Sequence, residues 1–93
     1  MAHSFLVHNE GDHVGVAVRE VAPDGLIDGV LMDTNGVVQL RALDPIPLGH
    51  KIALVDLEPD AQVIEYGVRI GIATQPIKQG QHVHTHNIRS ARW

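Results

Sequence analysis

Apolar residues alternate with small or polar residues over several short stretches of this chain. In Val14–Val18, three valines alternate with Gly15 and Ala17. Four further stretches follow a similar pattern, at residues 37–43, 52–55, 62–66 and 68–72. Short β-branched runs of this kind are typical of β-strands. Since no window of about 11 or more residues carries a clean helical period, the pattern predicts an all-β fold of short strands.

Turn-forming residues separate these stretches. They occur as Pro23-Asp24-Gly25, Asn35-Gly36, Leu48-Gly49, Glu58-Pro59-Asp60, Tyr66-Gly67 and Gln79-Gly80. Asn35-Gly36 lies between two apolar pairs, Leu31-Met32 and Val37-Val38. Because Asn and Gly tolerate the positive φ that a type I′ turn demands, we predict a tight hairpin at this point.

A heptapeptide pattern recurs four times: an apolar residue, Gly or Asp three positions later, and an apolar residue six positions after the first. The copies are Val21–Ile27, Ile46–Ile52, Leu57–Val63 and Ile77–Val83. We interpret each as a strand end, a tight turn around Gly or Asp, and a return strand whose first inward residue is apolar. Their starts are separated by 25, 11 and 20 residues, which excludes a regular solenoid. One corner motif is therefore expected several times in a compact fold.

Composition narrows the class of protein. A chain of 93 residues is long enough for one domain. It has no cysteine, a net charge of −4 and no basic stripe, so we expect neither a disulfide framework nor a nucleic-acid partner. Its apolar runs are far shorter than the ~20 residues of a membrane helix. The N-terminus lacks the features of a signal peptide, so we expect no membrane association and a cytoplasmic location.

Histidines are the unusual component, with seven in the chain. His82, His84 and His86 alternate with Val83 and Thr85. On a strand they would project from one face about 6.6–7 Å apart, so that two neighbours could bind one transition metal ion. The alternative is a solvated polar strand face without a ligand.

A second group of candidates lies at one of the predicted corners and near the N-terminus. Gly49-His50-Lys51 would place a histidine and a lysine at a tight turn, where the lysine could bind a carboxylate or sulfonate. An ordinary exposed lysine is the alternative. The segment His8–His13 is predicted to be a solvated loop, although it could complete a metal site. No acid–base pair stands out among the carboxylates, and the two serines lie near the termini.

Several stretches together carry a family resemblance. They are Gly49-His50-Lys51 with Ala53-Leu54 and Asp56, Val63-Ile64 with Tyr66-Gly67, Ile70-Gly71, Gly80, and His82-Val83-His84 with His86-Asn87. In these residues the chain resembles the SAF-type domain that begins altronate and galactarate dehydratases, and the separately encoded small subunits of sulfolactate sulfo-lyases. Phe5–His8 and Asp12–Ala17 resemble the sulfo-lyase type in particular. The resemblance covers nearly the whole chain.

The resemblance implies a compact β-clip fold, with residues 1–93 forming a single SAF-like domain and 88–93 a docking tail. It implies the small subunit of a lyase that eliminates bisulfite from a small anionic 2-hydroxy acid, and a separately encoded large catalytic subunit as partner. The alternatives are a small subunit or domain of an altronate or other sugar-acid dehydratase, and a non-catalytic carbohydrate- or anion-binding module. A homo-oligomer is left open.

The same resemblance suggests roles for individual residues. His84 and His86 are expected to be catalytic and to bind a divalent metal, with iron as the implied ion, shared with the large subunit. His50, Lys51 and Asn87 are expected to bind substrate. Because the chain lacks a complete acid–base set, we expect it to be inactive alone.

Overall fold

A computed structural model describes residues 3–90, which form nine β-strands. The strands are β1 (Phe5–Val7), β2 (Val14–Ala17), β3 (Leu26–Leu31), β4 (Val37–Arg41), β5 (Lys51–Ala53), β6 (Gln62–Glu65), β7 (Val68–Ala73), β8 (His82–Val83) and β9 (Ile88–Ser90). Six of them form a sheet in the order β4-β3-β1-β2-β5-β8, and three form a second sheet in the order β6-β7-β9. Among the strands of residues 3–90, only β1 and β3 pair in parallel.

The prediction of an all-β, SAF-like fold of short strands is confirmed. Strand lengths run from two residues in β8 to six in β3 and β7. Within residues 3–90 no segment is helical, so this part of the chain offers no helix that could cross a membrane. Of the predicted docking tail, 88–90 form β9, and 91–93, including Trp93, lie outside the described residues.

The four repeated heptapeptides each form the predicted corner. We name them corner 1 (Val21–Ile27), corner 2 (Ile46–Ile52), corner 3 (Leu57–Val63) and corner 4 (Ile77–Val83). The fourth residue of each has a positive φ: 72° at Asp24, 85° at Gly49, 70° at Asp60 and 93° at Gly80. Asp and Gly suit this position because they adopt left-handed backbone more readily than other residues. The first residue of every corner is buried.

The corners are joined in two reciprocal pairs. The first residues bridge each other, Val21 with Ile46 and Leu57 with Ile77. The positive-φ residues donate their N–H groups to the carbonyl oxygens of buried alanines: Asp24 to Ala42, Gly49 to Ala17, Asp60 to Ala73 and Gly80 to Ala53. Each alanine lies four positions before the partner corner. Its own N–H donates to the carbonyl oxygen of the residue that follows the positive-φ residue. Corners 1 and 2 therefore clip each other, as do corners 3 and 4.

Side chains complete this pairing asymmetrically. Immediately before corner 1, Glu20 accepts a hydrogen bond from the Leu48 N–H of corner 2 at 2.7 Å. Immediately before corner 3, Asp56 accepts one from the Gln79 N–H of corner 4 at 2.8 Å. Before corners 2 and 4 this position is a proline instead of an acid. The partner corners, 1 and 3, also have a proline at their third position, and proline has no N–H to donate. An acid is therefore present where the partner corner has an N–H to satisfy.

Buried side chains form two clusters that follow the two pairs of corners. One cluster contains Val21 and Ile46 together with Phe5 and Ile52. The other contains Leu57, Val63, Ile77 and Val83 together with Val14. Among the residues that the structure describes, the core is aliphatic except for Phe5, because the chain has few aromatic residues.

The β3–β4 hairpin is confirmed, but its predicted type I′ turn is wrong. β3 and β4 pair from Leu26↔Arg41 to Val30↔Val37, which leaves a longer loop. Asn35 has a φ of 61°, whereas the positive-φ glycines do not include Gly36. The Leu31 N–H donates to the Gly36 carbonyl and the Leu31 carbonyl accepts from the Asn35 N–H, both at 2.8 Å, so the loop closes one residue beyond the last paired residues, Val30 and Val37.

The two-residue turn occurs instead between β6 and β7. Glu65 pairs with Val68, and the two residues between them, Tyr66 and Gly67, have φ values of 61° and 70°. Positive φ at both central residues is the requirement of a type I′ turn. This hairpin has the geometry that the sequence had suggested for Asn35-Gly36.

Candidate metal and substrate site

Three imidazoles meet where β5 pairs with β8. His50 follows the positive-φ glycine of corner 2, and His82 begins β8 at the end of corner 4, where it pairs with Ile52. His84 lies just beyond β8. One ring nitrogen from each histidine lies within 4.8 Å of the others, and His50 Nδ1 is 2.8 Å from His82 Nε2. His50 and His82 are half-buried, and His84 is exposed.

This grouping fits a transition metal ion. Imidazole nitrogen is a common ligand of zinc, copper, iron and nickel. Metal–nitrogen bonds of about 2.0–2.1 Å require ligand nitrogens a few ångströms apart, and the three rings already approach that spacing. The His50 ring stacks on His84 with centroids 4.4 Å apart and on His82 at 5.0 Å. The three histidines are thus packed closely enough for one nitrogen of each to share an ion.

The predicted strand through His82, His84 and His86 is wrong beyond Val83. The chain turns after β8, so the three histidines do not share one strand face. The turn nevertheless folds His84 back to 5.6 Å from His82 between ring centroids, with the planes 11° apart. The His86 ring lies 5.2 Å from His82 and is tilted, and it does not belong to the group that could share an ion.

Asn87 closes this turn. Its side chain is buried, its Oδ1 accepts a hydrogen bond from the His84 N–H at 3.0 Å, and its Nδ2 donates to the His82 carbonyl at 2.8 Å. Asparagine favours turns because its short amide can bond to nearby backbone groups in this way. In the structure Asn87 positions the two histidines, and the substrate contact predicted for it stays a prediction.

The surroundings of His82 favour its neutral form. Burial lowers the pKa of His82 below its ordinary value, and the neighbouring His50, His86 and His84 lower it further. Asp44 opposes this shift, and its Oδ2 accepts a hydrogen bond from the His82 N–H at 2.9 Å. A metal ion binds the neutral imidazole, so the pKa and the geometry favour the same role.

A cavity of about 300 Å³ opens beside the histidines, between the two sheets. The first sheet contributes Lys51 and Val83, the second contributes Glu65 and Ser90, and the turn between them contributes His84 and Thr85. Its volume is at the small end of the range for ligand sites, ~300–1,000 Å³. Lys51 contributes a positive charge to the lining of this cavity.

Glu65 is a site residue that the sequence analysis missed. Its side chain is only 13% exposed, with one carboxylate oxygen 3.9 Å from Lys51 Nζ and the other 4.0 Å from His8 Nε2. The carboxylate therefore limits where the Lys51 ammonium can point. No local pattern marks Glu65, because its neighbours in the site come from β5 and from the loop after β1.

The loop after β1 is more buried and more hydrogen-bonded than the solvated loop predicted for His8–His13. Asp12 is 5% exposed and accepts hydrogen bonds from the Tyr66 and Gly67 N–H groups at 2.8 and 3.1 Å. His13 Nδ1 accepts one from the Ile64 N–H at 3.1 Å. His13 is therefore engaged with β6 and does not join the three imidazoles.

Comparisons with known proteins agree with this fold. Residues 3–91 match the sequence profile of the altronate/galactarate dehydratase SAF domain. The chain is 45% identical to the (2R)-sulfolactate sulfo-lyase subunit alpha of Chromohalobacter salexigens over 94 residues, which cover the full length of both proteins. It is 41% identical to the subunit of the same name from Paracoccus pantotrophus over 64 residues, 69% of this chain and 96% of the other.

A larger enzyme contains a related segment. The altronate dehydratase of Bacillus subtilis is 33% identical over 87 residues, which are 94% of this chain but 16% of that protein. The matching segment lies in the N-terminal region of the dehydratases.

Proposed function

This chain belongs to the family of altronate/galactarate dehydratase SAF domains, and on that premise we propose that it is the small subunit of a (2R)-sulfolactate sulfo-lyase. The observation that carries the proposal is 45% identity to a subunit alpha of that enzyme over the full length of both chains. A role associated with lyases follows from the relatives as a group. A subunit or domain of an altronate dehydratase is the second candidate, favoured by identity to a segment of that enzyme.

The proposed reaction is an elimination that releases bisulfite and pyruvate. The C2–H bond breaks toward a base, the C3–S bond breaks with its electron pair on the leaving sulfite, and the enol that forms becomes pyruvate. Negative charge develops on the substrate carboxylate as the proton leaves. A bound divalent ion would stabilise that charge as a Lewis acid.

Individual residues of this chain take the following roles in the proposal. His50, His82 and His84 hold the ion, supported by the proximity of their ring nitrogens. Iron, shared with the large subunit, is our specific proposal for its identity. His86 lies beside this group, within ring contact of His82, and we keep it as a catalytic candidate near the ion.

Substrate is proposed to enter the cavity beside His84. Lys51 binds the carboxylate or sulfonate there, while Glu65 restricts the position of the ammonium group. We assign the base that takes the C2 proton to the large subunit, because Glu65 is held between Lys51 and His8. The chain alone is therefore proposed to be inactive, and the assembled enzyme is proposed to act in the cytoplasm.

Co-expression with the candidate large subunit tests the proposal. The purified complex is assayed with (2R)-sulfolactate for bisulfite and pyruvate, and with altronate for a keto-acid product, beside each subunit alone. Bisulfite release by the complex only is the expected result. Activity on altronate alone would favour the dehydratase, and a chain that binds anions but associates with no large subunit would favour a non-catalytic binding module.

A further inference from the structure

Tyr66 presents an exposed aromatic ring on a rigid support. The side of the hairpin that it occupies is open to solvent, and Tyr66 is 65% exposed. Its ring stacks on His8 with centroids 4.4 Å apart and planes 15° apart. Its N–H and that of Gly67 are bonded to the buried carboxylate of Asp12. An anchor that is already fixed in place loses little conformational entropy when a partner binds.

The backbone of Tyr66 is unusual for its residue type. Its φ of 61° lies in the left-handed region, which glycine and asparagine adopt at lower cost than a bulky side chain. The ring, being exposed, gains little from burial within this chain. Stacking on His8 still leaves most of the Tyr66 side chain open to solvent, so an external contact is a further physical reason for a tyrosine at this position.

Tyr66 also lies next to the candidate site. It directly follows Glu65, which lines the cavity. Two positions after Tyr66, Val68 is 60% exposed at the tip of the same hairpin, where it pairs with Glu65. Ser90 at the end of β9 lines the cavity too. The hairpin tip, the cavity and the end of β9 therefore occupy one region of the molecule.

The longer relatives indicate what covers this region. In the altronate dehydratases the related segment is N-terminal and makes up 16% of the Bacillus subtilis protein, so most of that chain continues from beyond β9. The rest of the dehydratase chain would therefore begin beside the cavity, because residues of β9 line that cavity. A separately encoded large subunit with the equivalent role would lie against the same surface.

We propose that Tyr66 and Val68 form a docking surface for the large catalytic subunit, with Tyr66 as its anchor, so that the partner closes over the cavity. This inference rests on the proposed function. Tyrosine is among the residues enriched at the energetic centres of interfaces. Leu26 is a control residue of similar exposure, at 60%, that lies away from this surface. It begins β3, whereas the other end of β3, Leu31, pairs with Val7 next to His8. Leu26 is five residues from Leu31, which is about 17 Å along the strand.

The test measures the dissociation constant between the large subunit and variants of the full chain. Tyr66→Gly removes the ring and relieves the positive φ, so it should raise the melting temperature while weakening binding at least 10-fold. Tyr66→Phe keeps the ring and should bind within about threefold of the wild type. Leu26→Ala, matched in exposure, should bind as the wild type does.

Three outcomes would overturn the inference. The first is that Tyr66→Gly binds the large subunit as tightly as the wild type does, and the second is that Leu26→Ala loses as much affinity for it as Tyr66→Gly. The third is that the wild type is a homodimer, which Tyr66→Gly converts to a monomer without changing the affinity for the large subunit. Failure of the wild-type chain to bind any candidate large subunit would instead remove the proposed function, and this inference with it.

Discussion

The strands that leave corners 2 and 4 differ from those that leave corners 1 and 3. All four corners exchange the same two backbone hydrogen bonds with a buried alanine and have a positive φ at the same position. After that residue, corners 2 and 4 continue with His50-Lys51 and Gln81-His82. Corners 1 and 3 continue with Gly25-Leu26 and Ala61-Gln62, which offer no ionisable group.

Strand pairing turns this difference into a site. β5 and β8, which follow the histidine-bearing corners, pair with each other through Lys51↔Val83 and Ile52↔His82. β3 and β6 pair with other strands. The corner thus accommodates different side chains at the two positions after its turn, and the candidate site lies where two such return strands pair with each other.

The largest effect is expected from a change that leaves the histidines intact and disrupts corner 4. Gly80→Ala places a Cβ against the carbonyl oxygen of Arg41 at a positive φ. We expect it to lower the free energy of unfolding by about 3 kcal/mol or more, measured by urea denaturation.

Gly49→Ala in corner 2 is the matched control. The positive φ is similar, but a Cβ there meets nothing within 4 Å, so only the left-handed backbone is penalised. We expect a loss of about 1–2 kcal/mol. Equal losses in the two variants would show that the close approach at Gly80 is unimportant.

The imidazole group is tested by removing one ligand at a time. In the assembled enzyme we expect His84→Ala to lower kcat about 100-fold, which corresponds to ~2.7 kcal/mol of transition-state stabilisation. In the isolated chain, titration calorimetry with Zn²⁺ should show at least about a 10-fold loss of affinity for His50→Ala, His82→Ala and His84→Ala.

His86→Ala and His3→Ala are the controls for these measurements. His86→Ala should keep most of the Zn²⁺ affinity, because His86 lies outside the group that could share an ion. His3→Ala should be near neutral in both assays. A larger loss of affinity in His86→Ala than in His50→Ala would indicate that His84 and His86 bind the ion, as expected from the sequence. Circular dichroism must be unchanged in every variant.

The corners were predictable because their signals are local. An apolar residue, a Gly or Asp three positions later and another apolar residue specify a turn and two inward side chains within seven residues. The left-handed backbone at Asp24 and Asp60 follows directly from that pattern. The alternation of β-branched residues likewise predicted most strands.

The site was less predictable because contacts distant in sequence assemble it. The sequence His82–Asn87 has the alternation of a strand, but the amide of Asn87 bonds to the backbone and closes a turn. Glu65 belongs to the site because its carboxylate lies near Lys51 and His8. The turn after Glu65 is held by Asp12, which accepts a hydrogen bond from the Tyr66 N–H, 54 residues away in sequence. Hydrophobic periodicity contains no information about such side-chain contacts.

Acidification should distinguish His82 from residues at the equivalent position of other corners. The folded-state pKa of His82 is lowered, first by burial and then by the nearby His50, His86 and His84. Unfolding therefore takes up a proton between that lowered pKa and the ordinary value of about 6.5. Stability from this group is fully present above pH ~6.5 and is lost as pH falls through the folded-state pKa.

His82→Gln removes this contribution. Melting temperatures measured in metal-free buffer from pH 7.5 to pH 4.5 should fall less steeply for the variant than for the wild type. Asp44, which accepts the backbone N–H at this position, is kept in both proteins. Parallel curves would mean that His82 does not contribute to the acid sensitivity of the fold.

The smallest effect concerns the acids that complete the corner pairs. Asp56→Ala removes the acceptor for the Gln79 N–H, and Glu20→Ala removes that for the Leu48 N–H. Both sites are exposed, so water replaces the lost bond and each variant should lose about 0.5–1.5 kcal/mol of unfolding free energy. Glu58→Ala is the matched control, since this exposed acid of corner 3 makes no side-chain hydrogen bond within residues 3–90, and it should change stability by less than about 0.5 kcal/mol. A loss in Glu58→Ala equal to that in Asp56→Ala would assign the effect to net charge and not to the bond between corners.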